Sequence, residues 1–230
     1  MGRPAGGRVF ETRRRVRYGD ADRFGLLRLD AIARYIQDVA GDETDDAGVT
    51  GLATWVVRRC LVEVVKPAKA WESLSVATWC GGLGSHWAER VVTFTGDQGA
   101  DIRTASIWVW VDRASLRPAR LTPAIHEMYG ATADGRRVTA SLALPADVPD
   151  DAVRRPWAIR HVDVDVLGHG NNALAWAMVE EALADAGARL GRGTADAPVR
   201  VEVEFREAMP PAGHIELCWR RSDDADGPFD

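Results

Sequence analysis

Two acidic segments lying 143 positions apart (165 − 22 = 143) constrain this 230-residue chain more than any other feature. The first reads Asp20-Ala21-Asp22-Arg23-Phe24-Gly25-Leu26. The second reads Asp163-Val164-Asp165-Val166-Leu167-Gly168-His169-Gly170-Asn171-Asn172. In each, an Asp-x-Asp pair stands three residues before a glycine, and a helix-like run follows. Under the offset His169 faces Leu26, so an ionisable side chain in the later copy meets an apolar one in the earlier copy. That asymmetry points to a duplicated unit whose later copy does chemistry while the earlier copy supplies shape. A chain of this length accommodates one large domain or two small ones.

The order of elements repeats as well. Val9 to Tyr18 reads as a strand. Leu29, Ile32, Ala33, Ile36, Val39 and Ala40 recur at the three- and four-residue spacing of one apolar helix face. Asp30 is expected to cap that helix and Gly41 to end it, with a surface loop over 42–52. From Trp55 the period drops to two, which predicts strands over 55–65, 73–81, 87–95 and 103–112 separated by glycine-rich turns. The last of these is apolar on both faces, so both are expected to be covered. In the later half 156–164 reads as a strand, and Asn171 or Asn172 caps a helix with Trp176, Val179, Leu183 and Ala186 on its apolar face. Val199, Val201, Val203 and Phe205 then alternate with charged residues, and Ile215, Leu217 and Trp219 continue the alternation. Adding 143 to the strand at Trp87 lands on Asp230, so counterparts of the last two early strands are missing. The second sheet is either short or completed in some other way. Residues 114–155, which hold Pro118, Pro123, Pro145 and Pro149, read as a link between an early unit (8–113) and a late one (156–230).

Composition excludes several classes. A formal charge of −5 leaves no basic footprint for nucleic acid, and Arg13-Arg14-Arg15 reads as a solvated strand start. Cys60, Cys80 and Cys218 have no metal-ligand spacing and form no even disulfide set, so free thiols in a reducing compartment are expected. The N-terminal residues lack an apolar signal-peptide core, and no apolar run is long enough for a bilayer. A cytoplasmic protein without a membrane partner is expected. Of the nine tryptophans, Trp55, Trp71, Trp79, Trp87, Trp108 and Trp110 fall in the strand-like stretch. Packing is their first expected role, and a flat apolar wall for a long ligand the second.

The segment from Asp165 to Asn172 is similar to the Asp-x-x-Gly-His-Val-Asn-Asn signature of hotdog thioesterases. Trp55-Val56-Val57-Arg58, Trp71-Glu72-Ser73-Leu74, Ala105-Ser106-Ile107-Trp108 and Arg117-Pro118-Ala119-Arg120-Leu121-Thr122-Pro123 add to it. Over nearly all of 9–219 the chain resembles the acyl-ACP thioesterases of plants and bacteria. The resemblance implies an α+β tandem (double) hotdog, in which antiparallel sheet wraps a long helix in each repeat. It implies hydrolysis of fatty acyl thioesters carried on acyl carrier protein, with no metal or other cofactor. It also implies that the catalytic groups come from the later repeat: Asp165, His169 and, downstream in Phe205-Arg206-Glu207-Ala208, Glu207. Where the family has an Asn between its Asp and His, this chain has Leu167.

The residues themselves suit that chemistry. Thioester hydrolysis needs a base or nucleophile, donors for the oxyanion and an apolar slot for the acyl chain. A carboxylate near a helix start can serve as the first. The amides of Gly168, His169 and Gly170 can serve as the second, where the helix dipole favours negative charge. Gly168, Gly170 and Asn171 are therefore the expected substrate-binding residues. Each also has a structural reading: Asp165 as a turn former, His169 as part of a buried turn, Glu207 as a solvated strand end, Asn171 as a cap. Hydrolysis of acyl-CoA and a non-catalytic acyl-binding role both fit the same residues, and a dehydratase or hydratase on this fold is a third alternative. The repeats can pair within one chain, or two chains can associate as a homodimer.

Overall fold

The computed structural model describes residues 2–49, 54–115, 117–187 and 198–221. Residues 222–230 lie outside them. The strands are β1 (Phe10–Arg15), β2 (Thr54–Lys66), β3 (Ser73–Leu83), β4 (Trp87–Gly96), β5 (Asp101–Val111), β6 (Val153–Ile159), β7 (Val199–Glu204) and β8 (Gly213–Trp219). The helices are α1 (Leu29–Asp46), α2 (Pro123–Ala133) and α3 (Ala173–Asp185). Six strands form one antiparallel sheet in the order β1-β3-β4-β5-β2-β7, and β6 pairs with β8.

The shortage of strands in the later half is met by pairing across the halves. β7 runs antiparallel to β2, with Arg59 opposite Glu204 and Val64 opposite Val199. Its donors and acceptors on that side are satisfied by a strand from the early half, as buried backbone requires. The β6–β8 pairing in turn repeats β1–β3.

The apolar stripe of α1 packs as its spacing demands. Leu29, Ile32, Ile36 and Val39 bury against Val62, Val76, Phe94 and Ile102 of the sheet, and Trp176 of α3 closes the same core. Each such side chain contributes roughly 1.5–3 kcal/mol by leaving water. On the same sheet face Cys80 and Trp110 continue the alternate rows begun by Val76 and Ile102, and α2 covers them through Ile125 and Tyr129.

Both ends of α1 differ from expectation, and the strand expected over 156–164 lies earlier, at Val153–Ile159, because Arg160 to Asp163 turn to form the Asp163 contacts. Asp30 does not cap α1: the helix begins at Leu29, and Asp30 instead binds Arg28 and Arg34 within the first turn. Gly41 does not end it. The helix runs five residues further, to Asp46, because Glu43 is anchored there by Arg8, Arg90 and Tyr129. Those contacts outweigh the ~1 kcal/mol that an interior glycine costs.

The segment after α2 is fastened to the opposite face of the sheet. Glu89, Ile107, Arg59 and Glu204 stand side by side across β4, β5, β2 and β7. Along that single row Arg136 pairs with Glu89, Arg59 donates to the carbonyl of Ser141, and the amide of Ala143 donates to Glu204. Among the described residues no helix is long and apolar enough to cross a membrane.

Candidate active site

The two acidic turns make the same backbone bonds at the 143-residue offset. Asp22 N donates to Leu26 O at 2.8 Å and Gly25 N to Asp22 O at 3.0 Å; Asp165 N donates to His169 O at 2.9 Å and Gly168 N to Asp165 O at 3.0 Å. Gly25 and Gly168 have φ of +77° and +78°, where a side chain would be strained. Asp20 accepts the Arg17 amide and Asp163 the Arg160 amide, so this outer pair is structural in both copies. The Arg160 guanidinium holds the Asp163 carboxyl below the usual carboxylate range.

The copies part at the inner aspartate. Asp22 Oδ1 accepts two amides, from Phe24 and Leu26, each at 2.8 Å. Asp165 Oδ1 accepts one, from Leu167 at 2.9 Å, and its Oδ2 faces Asn171 Nδ2 at 3.4 Å. The His169 amide, counterpart of the Leu26 amide, has no acceptor among the described residues. The later aspartate is thus less committed to its turn than the earlier one.

Asn171 joins this carboxylate to the other half of the chain. Its Oδ1 accepts Ala173 N at 2.8 Å, which caps α3, and Gln37 Nε2 at 3.3 Å. Its Nδ2 donates to Gln37 Oε1 at 3.3 Å as well as to Asp165. Both donors and both lone pairs of the carboxamide are therefore used. Gln37 was not singled out by the sequence. The signal was present: Gln37, Ala40, Gly41 and Thr44 form a small and polar stripe beside the apolar face of α1. The same offset carries Gln37 to Glu180 of α3 (37 + 143 = 180), which lies by Leu29, Asp30 and Arg28 at the start of α1. Burial pushes the Glu180 carboxyl up to about 7.

A cavity of about 370 Å³ lies between that stripe, the sheet and α2. Trp55, Trp79, Trp108 and Trp110 line it, and Trp55 meets Trp110 edge to face at 4.8 Å. The tryptophans are therefore wall as well as packing. Asp165, Leu167 and Asn172 line the cavity too, and Leu167, 71% exposed, marks the side open to solvent. Cys80 also reaches it, but burial pushes its thiol up to about 11, which leaves little thiolate for attack.

The expected site residues are distributed unevenly around this cavity. Asp165 faces it and Asn171 holds Asp165. His169 and Glu207 are exposed, do not line the cavity, and have no side-chain hydrogen bond or ion pair among the described residues. Glu207 lies two residues before Met209, whose carbonyl accepts Gly170 N at 3.1 Å. The amide of Gly168 is used inside the turn and that of Gly170 by Met209. From Gly168 to Asn172 the His169 and Asn172 amides are the ones without an acceptor among the described residues, and Asn172 lines the cavity. Gly170 is required for packing: a Cβ there would stand 2.9 Å from Met209 Cγ.

A long helix held on an antiparallel sheet, with a carboxylate turn and open amides beside an apolar cavity, defines a hotdog-type thioester hydrolase. Comparison with known proteins agrees. The acyl-ACP thioesterase N-terminal domain pattern matches residues 7–129. The chain belongs to the acyl-ACP thioesterase family, whose reaction is the hydrolysis of fatty acyl thioesters. An uncharacterized protein of Mycobacterium tuberculosis is 30% identical over 224 residues, 96% of this chain and 86% of that one. An acyl-ACP thioesterase from Bacteroides thetaiotaomicron shares the fold with a TM-score of 0.69 at 16% identity, over 90% of this chain and 84% of its own. The 12:0-ACP thioesterase from Umbellularia californica does so with a TM-score of 0.67 at 17% identity, over 90% and 85%.

Proposed function

We propose that this protein is a cytoplasmic tandem hotdog enzyme that hydrolyses fatty acyl groups from acyl carrier protein, with Asp165 as its general base. The observation that carries this reading is the difference between the two turns. Asp22 Oδ1 is held by two amides of its own turn and Asp22 does not line the cavity, whereas Asp165 accepts one turn amide, lines the cavity and directs its second oxygen to Asn171. Asp165 takes a proton from water, and the resulting hydroxide attacks the thioester carbonyl carbon. The oxyanion is received by the His169 and Asn172 amides at the start of α3, where the dipole favours negative charge. Collapse breaks the C–S bond, the leaving thiolate takes the proton held by Asp165, and the thiol and the fatty acid are freed. His169, in the same turn, polarises the carbonyl or positions the water. Glu207, held near the turn through Met209, supports the pair. Gly168 lets the backbone approach the substrate closely, Gly170 seats the turn against Met209, and the early repeat supplies the acyl wall.

Thiol release from matched acyl carrier protein and CoA thioesters tests the carrier. Faster turnover of the carrier-protein form is expected, and turnover of CoA thioesters alone would defeat that assignment. A non-catalytic acyl-binding role is the second reading. It is favoured by Leu167, which cannot hydrogen-bond water or a carbonyl at the position where the family has Asn.

A further inference from the structure

The tryptophan-lined cavity does not end on apolar surface. It reaches Glu43 and Arg90, whose side chains are 3% and 15% exposed. Glu43 is saturated: it accepts Arg8 Nε at 2.8 Å, Arg90 Nη2 at 2.9 Å, and the Tyr129 hydroxyl at 3.1 Å to each oxygen. Arg90 is not. Among the described residues it donates to Glu43 and, at 3.2 Å, to Thr78 Oγ1, which occupies two of its five N–H groups. Glu43 and Thr78 therefore fix the guanidinium while leaving donors available to the cavity. On β4 and β5 the Arg90–Ser106 row adjoins the Ala88–Trp108 row, so the charge lies next to the aromatic wall.

A saturated acyl tail has nothing to offer these donors, and its methyl end displaces the water that otherwise serves them. An oxygen at the end of the acyl group satisfies them. We propose that the cavity selects acyl groups bearing a hydrogen-bond acceptor oxygen, hydroxyl or oxo, remote from the thioester, with Arg90 as the residue that reads it. This rests on the hydrolase reading above and adds the substrate class. The helix sets the length. Gln37, which holds Asn171 beside Asp165, and Glu43 are six residues apart on α1 (43 − 37 = 6), or about 9 Å along its axis. That distance is spanned by roughly seven extended carbon–carbon bonds, each ~1.5 Å long and advancing ~1.25 Å along the zigzag, which places the oxygen near the eighth carbon of a linear chain.

The test compares octanoyl with 8-hydroxyoctanoyl, and 4-phenylbutanoyl with 4-(4-hydroxyphenyl)butanoyl, whose oxygens stand at a similar distance from the carbonyl, as thioesters of one carrier, using the full chain. A kcat/KM about tenfold higher for the oxygenated member of a pair is expected, and the pair that shows it assigns the oxygen to an aliphatic or an aromatic acyl group. Arg90→Met should bring that ratio near one, and Arg90→Lys should leave it between. Because Arg90→Met deprives Glu43 of a partner and can fail to fold, inhibition of the wild type by the free acids is measured in parallel. The oxygenated acid should inhibit at about tenfold lower concentration. Equal rates and equal inhibition within both pairs overturn the selectivity and leave hydrolysis standing. No thiol release from any thioester overturns the hydrolase reading, whereas tighter binding of the oxygenated acid, read by quenching of the cavity tryptophans' fluorescence, would still support the selectivity of the cavity.

Discussion

The carboxamides of Gln37 and Asn171 exchange two hydrogen bonds, each at 3.3 Å, across the seam between α1 and the later acidic turn. Through Asn171 the contact extends to Asp165. The orientation of the proposed base is thus set by a residue 128 positions earlier (165 − 37 = 128), in the half that carries no catalytic carboxylate.

That chain of contacts should behave as one unit. Gln37→Ala and Asn171→Ala are each expected to lower kcat about tenfold, and the double variant should be little worse than either, a coupling of about 1 kcal/mol. Asn171→Ala should also destabilise the fold by about 1 kcal/mol, because its Oδ1 caps Ala173, whereas Gln37→Ala should not. A double-mutant cycle read by thiol release and by urea unfolding checks both.

Glu180 gives a pH signature of opposite sign to an ordinary ion-paired carboxylate. Burial raises its pKa in the folded state to about 7, so between its usual value and 7 the folded protein binds the proton more tightly than the unfolded chain. Stability from this group therefore falls as pH rises through that window and is constant above it. Because Glu180 is partly solvated, the expected gain for Glu180→Gln is about 1–2 kcal/mol at pH 8, vanishing by pH 4. Urea titrations at the two pH values measure it.

Glu43 should act in the reverse direction. Burial pushes its carboxyl up, but Arg90, Arg8 and Tyr129 more than offset this and hold it below the usual carboxylate range. Its contribution is present above its unfolded pKa and lost as pH falls through the folded one. Glu43→Ala strands Arg90 and should cost about 3–5 kcal/mol near neutrality. Denaturant midpoints at neutral pH and in acid check the loss and its direction.

Gly41 offers a gain of stability with a change of specificity. A Cβ placed there meets no heavy atom within 4 Å, and the residue lines the cavity. Gly41→Ala should stabilise α1 by roughly 0.5–1 kcal/mol and lower kcat/KM for longer acyl chains relative to shorter ones. Thermal unfolding and a chain-length series report the two effects.

Local pattern made much of the fold legible. Alternation located β2 to β4 to within two residues at either end, because their faces differ in polarity, and β5, apolar on both faces, was located as closely by its run of β-branched and aromatic residues. What local pattern could not show were contacts across the halves. The glycine at position 41 signals a helix end only if nothing downstream holds the chain, and Glu43 does. The pairing of β7 with β2 has no local signature, since either strand alternates equally well alone. At the site, Asp165 stood out by its spacing from Gly168. Gln37 did not, because a polar residue on a helix is ordinary until the turn it meets is known.

The most direct measurement is thiol release by the wild type and by Asp165→Asn on one acyl carrier protein thioester. The asparagine can still accept the Leu167 amide, so the turn should persist and the thermal midpoint should stay within a few degrees. If Asp165 is the base, the wild type turns over and the variant is slower by about 10²–10⁴-fold. A folded Asp165→Asn protein that hydrolyses the thioester at the wild-type rate would contradict it.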